Sequence, residues 1–162
     1  MNKGKGNIPP RPLDAIDRRL LNLLQRDAKM PIQELANRLK LTKTPVYERI
    51  RRLETEGRIE RYVALVNKRQ VQAGILVFVT LRLEQQKIEF FNTLKTAITA
   101  LPEVLEAYAV GGGTDFHLKV IVPDLDGYYE FASKKLASLP HIGNVNSTFV
   151  LSELKSTTAV TL

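Results

Sequence analysis

A short amphipathic helix in the first third of the chain restricts the fold more than any other feature of the sequence. Val46, Ile50 and Leu53 recur at positions i, i+4 and i+7, a spacing that places them on one face of an α-helix. Thr42 is a residue type that caps a helix N-terminus, and Gly57 suits the left-handed conformation that follows a helix C-terminus. The segment between these two residues is therefore predicted to be a helix that buries one apolar stripe.

The rest of this helix surface is polar and basic. At about 100° per residue, arginines, threonines and a tyrosine lie opposite the apolar stripe or on its flank. Such a face can dock in the major groove of DNA, where arginine donates two hydrogen bonds to guanine. Taken alone, however, the face fits an ordinary solvated helix surface better than a DNA-binding one. The candidate DNA-binding residues are Lys43, Thr44, Pro45, Tyr47, Glu48, Arg51 and Arg52.

Two further amphipathic segments precede this helix. One begins at Leu13-Asp14 and runs to about Arg26, with acidic residues at its positive N-terminal end. The next begins at Pro31 and has apolar residues at i, i+3, i+4 and i+7 up to Leu39. Three facing apolar stripes predict a trihelical core. The tight junction at Lys40-Leu41 predicts a helix-turn-helix whose second member is the basic helix, and this geometry favours DNA binding.

The distribution of charge agrees with that interpretation. Residues 1–62 contain 15 Lys and Arg against 8 Asp and Glu, whereas residues 63–162 contain 9 of each. A basic module joined to a neutral one is typical of a polyanion-binding domain attached to a domain with another task. The chain has no cysteine and no apolar run near the ~20 residues that cross a bilayer, so a cytoplasmic protein is expected.

The second half of the sequence changes period. β-branched and aromatic residues from Ile59 to Val66 predict a strand, and a polar connector follows it. The remaining pattern is βαββαβ, the ferredoxin-like unit, so the fold class is α+β. The predicted elements are a strand at 75–83, a helix at 88–101, strands at 104–110 and 116–122, a helix at 125–139 and a strand at 144–151. The predicted division is a flexible arm at 1–12, a helix-turn-helix domain at 13–60, a strand and hinge linker at 61–74, and a ferredoxin-like domain at 75–162.

Both faces of the first strand of this sheet are apolar. Val77, Val79 and Leu81 share one face, while Leu76 and Phe78 share the other. The two helices cover one face of the sheet, so the other face needs a partner, and we expect a dimer formed sheet against sheet. The alternative is that the strand at 58–66 and the C-terminal tail cover that face within one chain.

The sequence offers little for catalysis. His117 and His141 are the only histidines, neither is near a carboxylate by sequence spacing, and no metal-ligand cluster is apparent. We therefore expect no enzyme activity, no metal and no cofactor. Gly111-Gly112-Gly113 lacks the lysine of a phosphate loop and precedes a strand, which indicates a hairpin turn.

The same turn has a second interpretation as a ligand site. Glycines leave backbone amide donors open to an anion such as a carboxylate, and Asp115 beside them offers an anion for an ammonium group. Together with Thr114 these groups suit a free amino acid. An apolar amino acid such as leucine or methionine is favoured, because Leu83, Val110 and Phe116 lie close to this turn in the sequence or the predicted sheet and can contact an apolar side chain.

One set of segments forms a specific pattern: Leu13–Asp17, Leu35-Ala36, Leu41–Val46, Arg49–Ile59 and Tyr62. With these segments the sequence resembles the Lrp/AsnC ("feast/famine") transcriptional regulators, and the resemblance covers nearly all of the chain after residue 12. The resemblance implies a winged-helix-like DNA-binding domain, a RAM/ACT-like domain, and dimers that assemble into tetramers or octamers. It places the family's effector motif Gly-x-x-Asp on Gly112–Asp115 and implies that Ser147, Thr148 and Ser152 complete an amino-acid site between dimers. The family often has an aromatic residue where this chain has Thr114, which leaves the preferred effector open.

Two rival functions share parts of this pattern. A regulatory domain acting on a separate enzyme has the same ferredoxin-like unit but does not need the basic helix. An architectural DNA-compacting protein needs the basic helix but senses no amino acid. The first rival predicts no DNA binding at low salt, and the second predicts no thermal shift with any amino acid.

Overall fold

A computed structural model describes residues 11–68 and 70–162, which fall into two compact units. The first unit comprises residues up to Ala64 together with Lys155–Leu162, and the second comprises Leu65–Leu154. The tail that we assigned to the domain at 75–162 is thus grouped with the first unit. Residues 1–10 of the expected flexible arm lie outside the described residues, and Arg11 and Pro12 are exposed.

Three helices form the first unit, α1 (Ala15–Leu24), α2 (Ile32–Leu39) and α3 (Lys43–Thr55). Their apolar stripes meet in one core, as the helical periodicity predicts. Lys40 ends α2 in the left-handed conformation with φ 57°, which turns the chain directly into α3. The predicted helix-turn-helix is confirmed. The buried core residues are Leu20, Leu21, Leu24, Met30, Leu35, Ala36, Leu39, Val46 and Leu53.

The expected ends of α3 hold in part. Thr42 is the N-cap residue, but its hydroxyl makes no capping hydrogen bond, so that part of the prediction is wrong. Pro45 lies in the first turn, where its missing N–H leaves no helical acceptor unpaired. Gly57 follows the helix with φ 69°, the left-handed conformation that glycine adopts at least cost.

The segment after α3 is not a strand in this structure. Residues 60–67 have no regular secondary structure, although the β-branched pattern predicts one. Tyr62 anchors the start of this segment, because its hydroxyl donates a hydrogen bond of 2.8 Å to Oε1 of Glu54 on α3. Burial, and then this hydrogen bond, raise the pKa of Tyr62 to about 12.

The second unit is the predicted ferredoxin-like βαββαβ arrangement. The elements are β1 (Ile75–Leu83), α4 (Ile88–Thr99), β2 (Val104–Ala109), β3 (Phe116–Val122), α5 (Leu125–Glu130, continued by a π-helical segment) and β4 (Ile142–Phe149). The antiparallel sheet has the strand order β2-β3-β1-β4. The π-helical segment spans Phe131–Leu136, and β4 begins and ends two residues earlier than predicted.

The two faces of the sheet differ in burial. Val77, Val79 and Leu81 are completely buried on the face that α4 and α5 cover, whereas Phe78 on the other face is 46% exposed. Alternate residues of β3 join the covered face, because cross-strand partners in an antiparallel sheet point the same way. Across the described residues, no helix combines the length and apolar character needed to span a membrane.

Candidate DNA-binding and effector sites

The polar face of α3 is open to solvent. Val46 and Leu53 are completely buried on the opposite side, which fixes the rotation of the helix about its axis. Tyr47 is 55% exposed, and Pro45 is half-buried in the first turn. The predicted contact residues that form one exposed surface are Lys43, Thr44, Tyr47, Glu48 and Arg51.

Arg52 differs from Arg51 in what it contacts. Nη2 of Arg52 lies 2.7 Å from Oδ1 of Asp17 on α1, whose side chain is completely buried. Arg51 makes no ion pair with any residue that the structure describes. Sequence periodicity groups these two arginines on one face, whereas the structure gives them separate tasks. Arg52 holds α3 against α1, whereas Arg51 is exposed to solvent.

Arg49 reinforces the same contact between helices, and sequence reasoning missed it. Its Nη1 lies 2.6 Å from Oδ1 of Asp17 and 2.7 Å from Oδ2 of Asp14. The two aspartates also form a capping box at the N-terminus of α1, in which Asp17 N donates to Asp14 and Asp14 N donates to Asp17. A signal was present, since Asp17 stands three and seven residues before Leu20 and Leu24 in the buried stripe. A carboxylate in that position requires a cationic partner.

The aspartates of this cluster are ionised at neutral pH. Burial raises the pKa of Asp17, but the hydrogen bonds from Arg52 and Arg49 outweigh burial, so its pKa lies below the usual value. The backbone hydrogen bond from Asp17, and then the hydrogen bond from Arg49, lower the pKa of Asp14 to about 2. The cluster fixes α3 to α1 by charge as well as by apolar contact.

The glycine turn joins β2 to β3. Val110 N donates to Asp115 O at 3.0 Å and closes the turn. Gly112 has φ 126°, a conformation that side chains rarely adopt. No atom outside the immediate chain neighbours lies within 4 Å of where a Cβ on Gly111, Gly112 or Gly113 would stand, so space remains around the turn.

Asp115 already has partners within the chain. Its Oδ2 accepts from Leu83 N at 2.8 Å, and its Oδ1 accepts from Nε2 of Gln86 at 2.6 Å. The hydrogen bond from Gln86, followed by that from the Leu83 amide, lowers the pKa of Asp115. The carboxylate therefore fastens the turn to the end of β1 and carries a negative charge. Each carboxylate oxygen retains a second lone pair for a further donor.

The other predicted effector residues lie apart from this turn within one chain. Ser147 pairs with Val79 and faces the helices, where it accepts a hydrogen bond from Tyr128, whereas Thr148 pairs with Phe78 and faces the open side. Ser152 follows the end of β4, beside the start of β1, whereas Asp115 contacts the end of β1. Thr114 lies in the turn, with its Oγ1 3.0 Å from Nε2 of His117. A single chain does not bring these groups into one cleft.

Two of the residues expected to contact the effector are buried, so that part of the prediction is wrong. Leu83 and Phe116 lie in the core beneath the helices, because they share the covered face with Leu81, and almost none of either side chain is exposed. Val110 is half-buried at the start of the turn. Leu83 continues the alternation of the preceding strand residues, so the pattern itself carried the signal for its burial.

Each of the two histidines has a partner within the chain. His117 bonds to Thr114, and the His141 ring stacks on Phe90 with centroids 3.6 Å apart. In the part of the chain that the structure describes, no group of three or more His, Cys, Asp and Glu is arranged to hold a metal ion.

Two family models match this chain, one in its N-terminal part and one in its C-terminal part. The family model described as the AsnC-type helix-turn-helix domain matches residues 13–54, and that of the Lrp/AsnC ligand binding domain matches residues 76–160. The leucine-responsive regulatory protein of Escherichia coli (strain K12) is 38% identical over 147 residues, which cover 91% of this chain and 90% of that protein.

Solved structures with the same fold include two regulators. The AsnC family transcriptional regulator from Agrobacterium tumefaciens has a TM-score of 0.86 and 34% identity, covering 91% of this chain and 96% of its own. A transcriptional regulator from Neisseria meningitidis, solved as a complex with L-methionine, has a TM-score of 0.86 and 28% identity, covering 92% and 96%. The resemblance drawn from the sequence is confirmed: the chain belongs to the Lrp/AsnC family, whose members are DNA-binding transcriptional regulators and not enzymes.

Proposed function

We propose that the exposed face of α3 reads DNA, with residues 13–60 as the DNA-binding domain and 61–74 as its linker. The observation that carries this proposal is the separation of Arg51 from Arg52. Arg51 is exposed and makes no ion pair among the described residues, while Arg52 and Arg49 hold the helix on α1. Because these ion pairs fix α3 on α1, the helix itself need not become ordered when it binds DNA.

Each exposed side chain on α3 has a task suited to its chemistry. Arg51 carries a forked guanidinium that matches the two acceptors of guanine, a contact worth ~1–3 kcal/mol of discrimination. Lys43 near the helix N-terminus contributes affinity through phosphate, which is not selective and weakens with salt. Tyr47 and Thr44 supply apolar and hydroxyl contacts to base edges, and Glu48 accepts from the cytosine amino group. Pro45 positions the first turn, and Arg52 retains N–H groups that can reach a phosphate.

A homodimer formed through the open face of the sheet accounts for its composition. Phe78 is 46% exposed there, and Leu76 and Ile121 are only half-buried. An exposed phenylalanine flanked by these residues marks a surface that a second copy covers. The Lys119–Glu106 ion pair at 2.9 Å lies on the same face and limits the interface to a mixed apolar and polar one. A dimer carries two copies of α3, here called the reading helix, and a two-fold symmetric DNA site requires two such helices.

The domain at 75–162 is proposed to bind an amino acid at the glycine turn. Backbone amides of the turn suit the α-carboxylate, and the ionised Asp115 suits the α-ammonium group. Because Thr148 and Ser152 lie away from this turn within one chain, a second chain must bring them to it, which makes binding dependent on assembly into tetramers or octamers. Leucine and methionine are the favoured effectors. The name of the Escherichia coli relative and the methionine complex of the Neisseria relative support this choice.

The regulatory step follows from that dependence. An amino acid that binds one assembly better than another shifts the population of assemblies, and with it the spacing of reading helices. DNA affinity then changes without any movement of α3 on its own core. Such a regulator acts where the DNA is, in the cytoplasm.

Calorimetry of the full chain with the twenty amino acids tests the effector proposal. We expect saturable binding of leucine or methionine, its loss in Asp115→Asn, and its retention in Gln86→Ala, which leaves the carboxylate charged. Asp126→Asn is the matched control, since Asp126 is an exposed carboxylate on α5. Absence of binding by every amino acid favours the architectural DNA-compacting function instead.

A further inference from the structure

The C-terminal segment Lys155–Leu162 lies against α1 and α2 in the first unit. One side chain holds it in place through two hydrogen bonds. Nε2 of Gln25 donates to Val160 O at 3.1 Å, and Val160 N donates to Oε1 of Gln25 at 2.7 Å. A single carboxamide thus satisfies both polar groups of one backbone residue, which sets the position of the tail on the helix.

A cavity of about 630 Å³ lies between the tail and the helices. This volume falls within the ~300–1,000 Å³ of typical small-molecule sites. Thr157 and Thr161 line it from the tail and contribute hydroxyl donors, and Asn22 lines it from α1. The tail therefore contributes one wall of this site, and α1 and α2 contribute the other.

Four cationic side chains line this cavity, and among the residues that the structure describes no acidic one lines it. Arg19 and Arg26 come from α1 and the turn after it, Arg38 from α2 and Lys155 from the tail. Nη2 of Arg19 donates to Arg38 O at 3.0 Å, which fixes that guanidinium beside the second helix. Arg38 also pairs with Glu34, at the exposed surface of α2. A concave wall lined by cations concentrates a positive field on the space beside it.

The cations of this wall differ in how they are used. Arg26 and Lys155 are exposed, and neither forms an ion pair within residues 11–68 and 70–162. Like charges that share a cavity repel one another, so an anion bound among them relieves that repulsion and is held in return. Guanidinium groups match phosphate oxygens in a two-bond geometry, and lysine adds a point charge.

We propose that this cavity binds a small polyanion that carries phosphate groups. The ligand joins the tail to α1 and α2 through Arg26 on one wall and Lys155 on the other. It is distinct from the amino acid proposed for the glycine turn and does not depend on that proposal, because every residue of the cavity belongs to the first unit. Duplex DNA supplies the same phosphate chemistry, so its backbone is the source that the experiment must separate from a free polyanion.

Calorimetry of the full chain with inorganic tripolyphosphate tests the site. We expect saturable binding with one ion for each chain. The double variant Arg26→Ala plus Lys155→Ala is expected to weaken binding by roughly tenfold or more, since a hydrogen bond to a charged group contributes at least that factor. The charge-matched control is Arg58→Ala plus Arg61→Ala, exposed residues of the same unit that do not line the cavity. An equal loss in both double variants would mean diffuse attraction to a basic protein and would overturn the site.

Gln25→Ala separates the shape of the cavity from its charge. This variant removes both hydrogen bonds to Val160 and leaves the net charge unchanged. We expect weaker tripolyphosphate binding with an unaltered helical circular dichroism spectrum. Binding as tight as in the unaltered chain would show that the tail does not build the site.

A short duplex without tripolyphosphate distinguishes the two phosphate sources. Under the proposal, Arg26→Ala plus Lys155→Ala leaves duplex affinity within about twofold of the unaltered chain, whereas Arg51→Ala lowers it. If the cavity variant loses as much duplex affinity as Arg51→Ala, the DNA backbone occupies the cavity and the small-polyanion proposal is overturned.

Discussion

Arg52 and Asp17 form an ion pair 2.7 Å long between the third and first helices, and the Asp17 side chain is completely buried. A buried carboxylate is tolerated only when cations and hydrogen bonds replace its water. Arg49 supplies the second cation, at 2.6 Å from the same oxygen. The orientation of α3 therefore depends on a charged contact as well as on the apolar core.

Replacement of Asp17 by asparagine tests this dependence. The change keeps the shape of the side chain and leaves Arg49 and Arg52 without their shared anion. Removing one partner of a fully buried ion pair costs ~3–5 kcal/mol of stability. Because both arginines are about one quarter exposed, we expect the free energy of unfolding to fall by a smaller amount, about 2–3 kcal/mol. Urea unfolding measures it. Glu48→Gln, on the exposed face of α3, is the control and should change the free energy of unfolding by less than about 0.5 kcal/mol.

The same cluster predicts a stability loss in acid. The folded pKa of Asp14 is lowered from 3.8 to about 2, and that of Asp17 is also lowered, so both groups favour the folded state when ionised. Their contribution is complete above the unfolded pKa and disappears as the pH falls through the folded pKa. Urea midpoints of the chain should therefore fall as the pH is lowered from about 4 to about 2. Asp14→Asn should show a shallower fall, and an identical pH profile would contradict the assignment.

Substitution of Arg51 should affect DNA binding, whereas substitution of Arg52 should affect stability. Arg51 has no ion pair among the described residues, so Arg51→Ala should lower affinity for a promoter fragment by ~1–3 kcal/mol and leave the urea midpoint unchanged. Arg52→Ala should lower the urea midpoint, because it removes one partner of buried Asp17. Mobility-shift titration and urea unfolding of both variants check this. Unchanged DNA affinity in Arg51→Ala would rule out the proposed reading face.

Periodicity predicted the elements because each depends on neighbours along the chain. The buried face of α3 can be predicted from the spacing of Val46, Ile50 and Leu53 alone. The covered face of β1 can likewise be predicted from the alternation of Val77 and Val79. Contacts between distant segments have no such local pattern.

The ion pairs of Asp17 and the attachment of Val160 to Gln25 belong to that second class. At residues 60–67 the local pattern predicted a strand that the structure does not contain. The β-branched residues of this segment favour an extended chain, but a strand also requires a partner, and the sequence pattern does not supply one.

Gly112 and Gly113 should respond differently to alanine. Gly112 has φ 126°, where a side chain is strained even though the space is open, so Gly112→Ala should cost about 1–3 kcal/mol. Gly113 lies in equally open space without a positive φ, and Gly113→Ala is the matched control, expected to be close to neutral. Thermal unfolding followed by circular dichroism measures both. Equal effects would mean that the turn does not depend on the conformation of Gly112.

Phe78 should decide the oligomeric state. It is 46% exposed on the open face of the sheet in one chain, whereas Val77 and Val79 on the other face of β1 are completely buried. Burying a phenylalanine side chain contributes ~1.5–3 kcal/mol, and a two-fold interface contains it twice. Phe78→Ser should therefore shift the equilibrium from dimer toward monomer. The molar mass measured by light scattering at micromolar concentration checks this. Tyr129→Ser is the control, since Tyr129 is an exposed aromatic residue on α5 rather than on the sheet. If both variants keep the mass of the unaltered protein, the dimer uses another surface.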